Sequence, residues 1–152
     1  MVNATEAEIA RMPMPGLHEV VWDDREYLGW RDPSSPQRGY LVYWRGDRPV
    51  GLVLRAATSP LRAGAAICSL CNTGQPGGQV TLFSAPRAGE AGRRGDSVGT
   101  YICADLSCSL LIRIAPRHHE QIGSPGEVLA RKTHRLETRL DAFVSRVLEA
   151  AA

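Results

Sequence analysis

The 152-residue chain has four cysteines in two tight pairs, Cys68 and Cys71 in "ICSLC" and Cys103 and Cys108 in "YICADLSC". The pattern is Cys-x2-Cys, 31 intervening residues, then Cys-x4-Cys. Paired cysteines serve as metal ligands, as a redox couple, or as small core side chains that lie close together. Core filler has no reason to pair off in this way. A redox Cys-x2-Cys is expected near a βαβ pattern; none surrounds this one, and the second pair would be left over. A zinc deaminase centre needs a His-x-Glu and a proline before its Cys-x2-Cys. Here Ile67 precedes Cys68, and His119 and Glu120 are adjacent rather than spaced.

The reading that accounts for all four cysteines is one Zn²⁺ site. Four sulfurs surround the ion tetrahedrally at about 2.3 Å and leave no open position, so the metal is expected to be structural and the protein non-enzymatic. Such sites contribute about 10–16 kcal/mol of apparent binding free energy, comparable to the whole stability of a small domain. Metal and fold are therefore expected to be linked.

The elements that must position these sulfurs can be read from pattern. A two-residue knuckle puts Cys68 and Cys71 on one side of a tight turn, followed by a flexible "NTGQPGG". Residues 79–85, "QVTLFSA", read as a strand, and residues 97–103, "SVGTYIC", as its return. A long glycine- and arginine-rich loop, "APRAGEAGRRGDSVG", lies between them. "DLSCSLLIRI" reads as a short helix capped by Asp105, with Cys108 in its first turn, where the helix dipole favours a thiolate. Knuckle, strand pair and helix together describe a treble clef.

Around this core, Thr5 and Glu8 are spaced as a capping box, and Pro13 and Pro15 stop any helix within about two turns. "DPSSP" is a turn. Residues 40–45 and 49–55 form a hairpin about Gly46-Asp47. From Glu127 to Ala150 a helical stripe carries Leu129, the Lys132 stem, Leu136, Leu140, Phe143, Val144 and Val147. The expected fold is α+β: an antiparallel sheet with a four-cysteine treble-clef zinc finger and a long C-terminal helix. Residues 1–24 form an arm and 25–150 a single domain, with the zinc core at 66–112 and the helix at 127–150.

Composition narrows the function. Apolar residues make up 43%, within the globular range, and the formal net charge of +2 excludes a strongly basic nucleic-acid binder. No stretch reads as a leader, and no apolar run reaches the length needed to span a bilayer, so a soluble, cytoplasmic protein without membrane contact is expected. Thiols stay reduced there, which favours metal over disulfides. The basic residues are 17 Arg and one Lys, a bias that follows general composition.

"CSLC" followed by "GGQVTLFSAPRAGEAGRRGDSVGTYICADLSCSL" resembles the C-terminal treble-clef zinc-finger domain of the elongation-factor-G-binding proteins, which include the fusidic-acid-resistance proteins of staphylococci. The resemblance is specific over about residues 66–112 and looser over 25–65. It implies that Cys68, Cys71, Cys103 and Cys108 bind one zinc. It also implies that the domain docks on elongation factor G and helps it leave a ribosome on which fusidic acid has trapped it. The resistance proteins carry an N-terminal helical bundle before the finger. This chain has a short, strand-rich segment there, so binding is expected to outlast drug protection. The alternative is a treble clef that contacts RNA directly.

Arg87, Arg93 and Arg94 cluster in the loop between the zinc-core strands and are the candidate partner-binding residues, suited to an acidic protein face or to phosphates. A solvated, mobile hairpin tip is the plainer reading. His118 and His119 read as a solvated loop, because four cysteines already complete a site. Trp22, Trp30 and Trp44 read as core.

Overall fold

Alternating β-branched and aromatic residues build the centre of the molecule. The computed structural model describes residues 1–59, 61, 62, 64–114 and 122–149. Its strands are β1 (Leu28–Arg31), β2 (Arg38–Arg45), β3 (Arg48–Ala56), β4 (Ala65–Ile67), β5 (Gly74–Pro76), β6 (Val80–Pro86) and β7 (Ser97–Cys103). Five of them form an antiparallel sheet in the order β1-β2-β3-β6-β7, and β4 pairs with β5 in a separate ribbon. The helices are α1 (Glu6–Ala10), α2 (Gly89–Arg93), α3 (Cys108–Leu111) and α4 (Pro125–Leu148).

The β2–β3 hairpin closes on the Arg45–Arg48 pair, leaving Gly46 and Asp47 as its turn. Gly46 has φ +64°, a conformation glycine adopts without a Cβ penalty. Strand alternation then sends Leu41, Tyr43, Leu52 and Leu54 to one face and Tyr40 and Val53 to the other.

Helix α4 covers the first face. It starts with Ser124 and Glu127 as a reciprocal capping box and Pro125 in its first turn. Val128, Leu136, Leu140, Phe143, Val144 and Val147 are buried along it. Burying each such Leu, Phe or Val side chain contributes about 1.5–3 kcal/mol before conformational entropy is charged. Polar ties fix the angle of the helix on the sheet. The Tyr43 hydroxyl donates to Asp141 at 3.0 Å, and Arg45 reaches both Asp141 at 2.9 Å and Ser145 at 2.7 Å.

The second face lies under the first residues of the chain. Val2 N–H donates to the Gly51 carbonyl, and the Asn3 amide bonds to β3 and β6 at Val53 and Pro86. Farther along, the Trp30 indole N–H donates to the Pro13 carbonyl at 2.8 Å and its ring lies 5.2 Å from that of Tyr40.

Hairpin, strand pair, α1 capping box and long helix follow the sequence pattern; five features depart from it. The long helix begins at Pro125, because Ser124 caps it, and is described to Leu148. The loop after β6 contains α2, held by burial of Ala91. "NTGQPGG" is ordered into β5 and a single 3-10 turn with Gly77 buried. Trp22 and Trp44 are exposed, at 54% and 66%, because neither the arm nor the hairpin end is covered at those points. Asp105 does not cap α3: its carboxylate accepts from the Ser107 backbone and hydroxyl in a turn, and Ser107 occupies the cap position. His118 and His119 lie outside the described residues.

Candidate metal centre

Two local structures deliver the four sulfurs. In the first, β4 leads into the knuckle. Cys68 N–H donates to the Thr73 carbonyl, Asn72 N–H to the Cys68 carbonyl, and Asn72 takes φ +59°, the left-handed conformation that asparagine tolerates. Ser69 N–H bonds the Tyr101 carbonyl at 2.8 Å, fastening the knuckle to β7, and Leu70 is buried beneath it. In the second, β7 ends at Cys103, and Leu106, also left-handed at φ +59°, turns the chain so that Cys108 opens α3.

All four cysteines are buried, and their sulfurs lie within 4.8 Å of one another. Individual separations are 3.6 Å for Cys68–Cys108, 3.7 Å for Cys71–Cys103 and 3.5 Å for Cys103–Cys108. A tetrahedron with bonds of about 2.3 Å has edges of about 3.8 Å, so the donor set fits zinc in size as well as in chemistry. Zinc, when bound, supplies the positive charge that lets four thiolates lie side by side.

The protein prepares for that charge. Hydrogen bonds from Cys103 and Cys108 hold the Cys71 thiol far below its usual range. Hydrogen bonds with Cys103, Cys68 and Cys71, together with burial, push Cys108 well above it. Four thiols packed this closely do not all ionise together unless a cation between them offsets their charge, which a dication does.

Two further residues touch the sulfurs, and neither stood out in the sequence. Gln75, on β5, donates its amide N–H to the Cys103 sulfur at 3.2 Å. The buried Tyr27 hydroxyl accepts from the Cys108 backbone N–H at 3.4 Å. Burial, then the nearby Cys108, keeps that hydroxyl protonated. Such outer contacts orient ligands and tune a metal site. Tyr27 also ties the sheet to the centre. Beside it, a Cβ on Gly29 would come within 2.6 Å of Leu106, so β1 and the Cys103–Cys108 turn are packed to contact.

The three candidate arginines have different surroundings. Arg87 is half-buried and donates to the carbonyls of Arg146 and Glu149 at the end of α4. Arg93 is exposed and paired with Glu90 at 2.7 Å, and Arg94 is exposed. Arg87 and Arg93 share a groove with Arg55 and Glu8, whose wall does not include Arg94.

The model of the FBP C-terminal treble-clef zinc-finger family matches residues 1–147. No protein of curated function matches the sequence significantly. Among solved structures, the chain is similar to that of the fusidic acid resistance protein FusC, with 19% sequence identity and a TM-score of 0.58. The match covers 92% of this chain and 53% of that one, so this chain spans about half the length of its structural relative. At that identity the likeness is one of fold.

Proposed function

The chain belongs to the FBP C-terminal treble-clef zinc-finger family, and from this we propose that it is a non-enzymatic, zinc-bearing module that binds translation elongation factor G in the cytoplasm and promotes its release from the ribosome. The observation that carries the reading is the family match across residues 1–147, which takes in the whole sulfur centre and the sheet that holds it. A closed set of four sulfur ligands supports a structural metal, since no position is left for a substrate. Among the described residues no helix is long and apolar enough to cross a membrane.

FusC is named for fusidic acid resistance. For this chain, which spans half of that protein, the proposal extends to factor binding and release, with drug protection as a separate readout. Calorimetry of the zinc-loaded protein with purified elongation factor G tests the reading. Saturable one-to-one binding is expected, and the absence of heat at tens of micromolar would end it.

A second reading, direct contact with RNA, is favoured by one observation. Trp44 is two-thirds exposed near the hairpin end, and an uncovered indole there suits base stacking. Recovery of nuclease-sensitive ribosomal material instead of the free factor would support it.

A further inference from the structure

Beside the metal centre lies a cavity of about 580 Å³, between the knuckle and α4. Among the four ligands, Cys71 is the one in its wall. Gln75 lines the same cavity and donates to the Cys103 sulfur, so one side chain touches both the open space and the sulfur cluster. The charged residues of the wall are Arg131, Lys132 and Arg135, all cationic. Arg131 is engaged by the Ile122 carbonyl, and Arg135 is exposed.

This charge distribution is selective. Arg131 and Arg135 stand four residues apart on one helix face, an arrangement that disfavours the helix unless something offsets it. Glu127, one turn earlier, interacts with Arg131 and supplies part of that offset, while the zinc–thiolate cluster, a dication against four thiolates, would carry net negative charge. By itself the cluster would repel anions, and the cationic wall reverses this at the cavity mouth. A bare metal cation is repelled by the wall, whereas a small anion is drawn in.

We propose that the cavity is the exchange port of the zinc site, through which small anionic chelating ligands deliver and remove the metal, with Gln75 as a positioning residue that holds the Cys103 sulfur in place. The exchange is a ligand substitution without electron transfer. Cys71, the ligand in the cavity wall, would be the first thiolate to give way to a carboxylate of the incoming chelator and would then take a proton from the solvent, and the other three thiolates would follow as the chelator's donors replaced them. The proposal rests on the sulfur centre alone and is independent of the protein's partner.

The test follows zinc loss from the fully loaded chain after timed mixing with a chelator, counting the metal that stays with the protein. Nitrilotriacetate serves as the anionic probe and 1,10-phenanthroline as the neutral one. Raising salt to about 1 M, where the screening length is about 3 Å, should slow transfer to nitrilotriacetate by about fivefold. Transfer to phenanthroline should not change. Arg135→Glu at low salt should reproduce that contrast, while Arg48→Glu, at the hairpin end, should behave as wild type. Gln75→Ala should speed transfer to both reagents and shift the charge-transfer bands of the cobalt-substituted protein. A rate independent of chelator identity and concentration would mean that zinc leaves only on unfolding, and would overturn the port. So would equal responses of the two reagents to salt, a comparison that needs no variant. Unaltered bands and rates in Gln75→Ala would remove Gln75 from the proposal.

Discussion

Arg87 closes the end of α4 by hydrogen bonding to the Arg146 carbonyl at 2.5 Å and to the Glu149 carbonyl at 3.2 Å. The last carbonyls of a helix have no partners within it and form the negative end of its dipole, so a guanidinium there satisfies both needs. The neighbouring Ala88 N–H adds a bond to the Val147 carbonyl at 2.9 Å. Arg87, one of the three candidate partner-binding arginines, thus serves as a clasp between the zinc-core strands and the long helix.

The clasp separates two roles within the arginine cluster. Arg87→Glu should lower stability by about 1–3 kcal/mol, because it removes two charge-assisted bonds and places a carboxylate against the negative end of the helix. Arg93→Glu with Arg94→Glu should shift stability by about 0.5 kcal/mol or less, both side chains being exposed. If elongation factor G docks here, that double variant should bind about tenfold more weakly at low salt, with the gap closing as salt rises. Urea unfolding and calorimetry read the two effects separately. Equal stabilities for the Arg87 and Arg93/Arg94 variants would remove the clasp.

Removal of zinc should undo more than the finger. The four cysteines belong to the same buried cluster as Leu41, Leu52, Phe83, Leu136 and Phe143. A centre worth about 10–16 kcal/mol exceeds what a small domain holds in reserve. Chelation should therefore abolish the cooperative melt and reduce the circular dichroism by more than residues 66–112 alone account for. A melting profile that survives complete zinc removal would disconnect metal from fold.

Glu26 gives a pH signature. Its carboxylate takes two bonds from Arg113, at 2.9 and 3.0 Å, in a nearly buried pair. Burial alone would raise its pKa, but the hydrogen bonds from Arg113 and Ser109 outweigh burial and hold it below the usual carboxyl range. A depressed folded value means that the stabilisation is complete above the unfolded value, near 4.3, and is lost as pH falls through the folded one. Glu26→Gln should thus be less stable than wild type by about 1–3 kcal/mol at neutral pH, with the gap narrowing below about pH 4. Comparing both proteins at each pH cancels the acid sensitivity that they share through zinc. A gap that is constant with pH would reject the ionic account.

Gly29→Ala tests the contact between sheet and metal turn. The added methyl would meet the Leu106 Cβ at 2.6 Å, its carbonyl at 2.8 Å and the Tyr27 ring at 2.8 Å. Overpacking of this kind costs about 1–3 kcal/mol. Because Leu106 lies between two zinc ligands, the variant should also release zinc to a competing chelator more readily. Full stability with unchanged zinc affinity would show that the turn yields without strain.

What the sequence discloses here is local and periodic. The Cys-x2-Cys and Cys-x4-Cys spacings, the alternation in β2 and β3 and the stripe of α4 each fit within one element, so pattern alone locates them. Helix α2 was not legible because Gly89 and Gly92 have poor helix propensity, and it forms through burial of Ala91, a tertiary effect. Asp105 reads as a cap since aspartate favours that place, yet Leu106 adopts the left-handed conformation next to it and moves the helix start to Cys108. Gln75 and Tyr27 touch Cys103 and Cys108 across long sequence separations, and the cationic wall of α4 shares a cavity with Cys71 across another, none of which one-dimensional spacing records. The bonds of Arg87 to the end of α4 were hidden for the same reason, since its partners Arg146 and Glu149 lie about sixty residues away.

The side chain of Asn3 carries a mechanical consequence. Strands β3 and β6 share two residue pairs, Arg55–Ser84 and Ala56–Phe83, and so form a narrow seam between the hairpin half of the sheet and the zinc half. Farther along that seam, the Asn3 amide donates to the Val53 and Pro86 carbonyls at 2.9 and 3.0 Å and accepts from the Val53 N–H at 2.8 Å. One side chain thereby imitates the peptide group of an absent strand and rivets the two halves together. Tension applied at residue 1, as by a tether or a fused cargo, reaches the sheet through the Val2–Gly51 hydrogen bond and, directly after it, through that rivet. The seam has little backbone pairing of its own to resist such a load, and what holds the two halves together beyond Asn3 is the shared core under α4 and the packing of β1 on the Cys103–Cys108 turn.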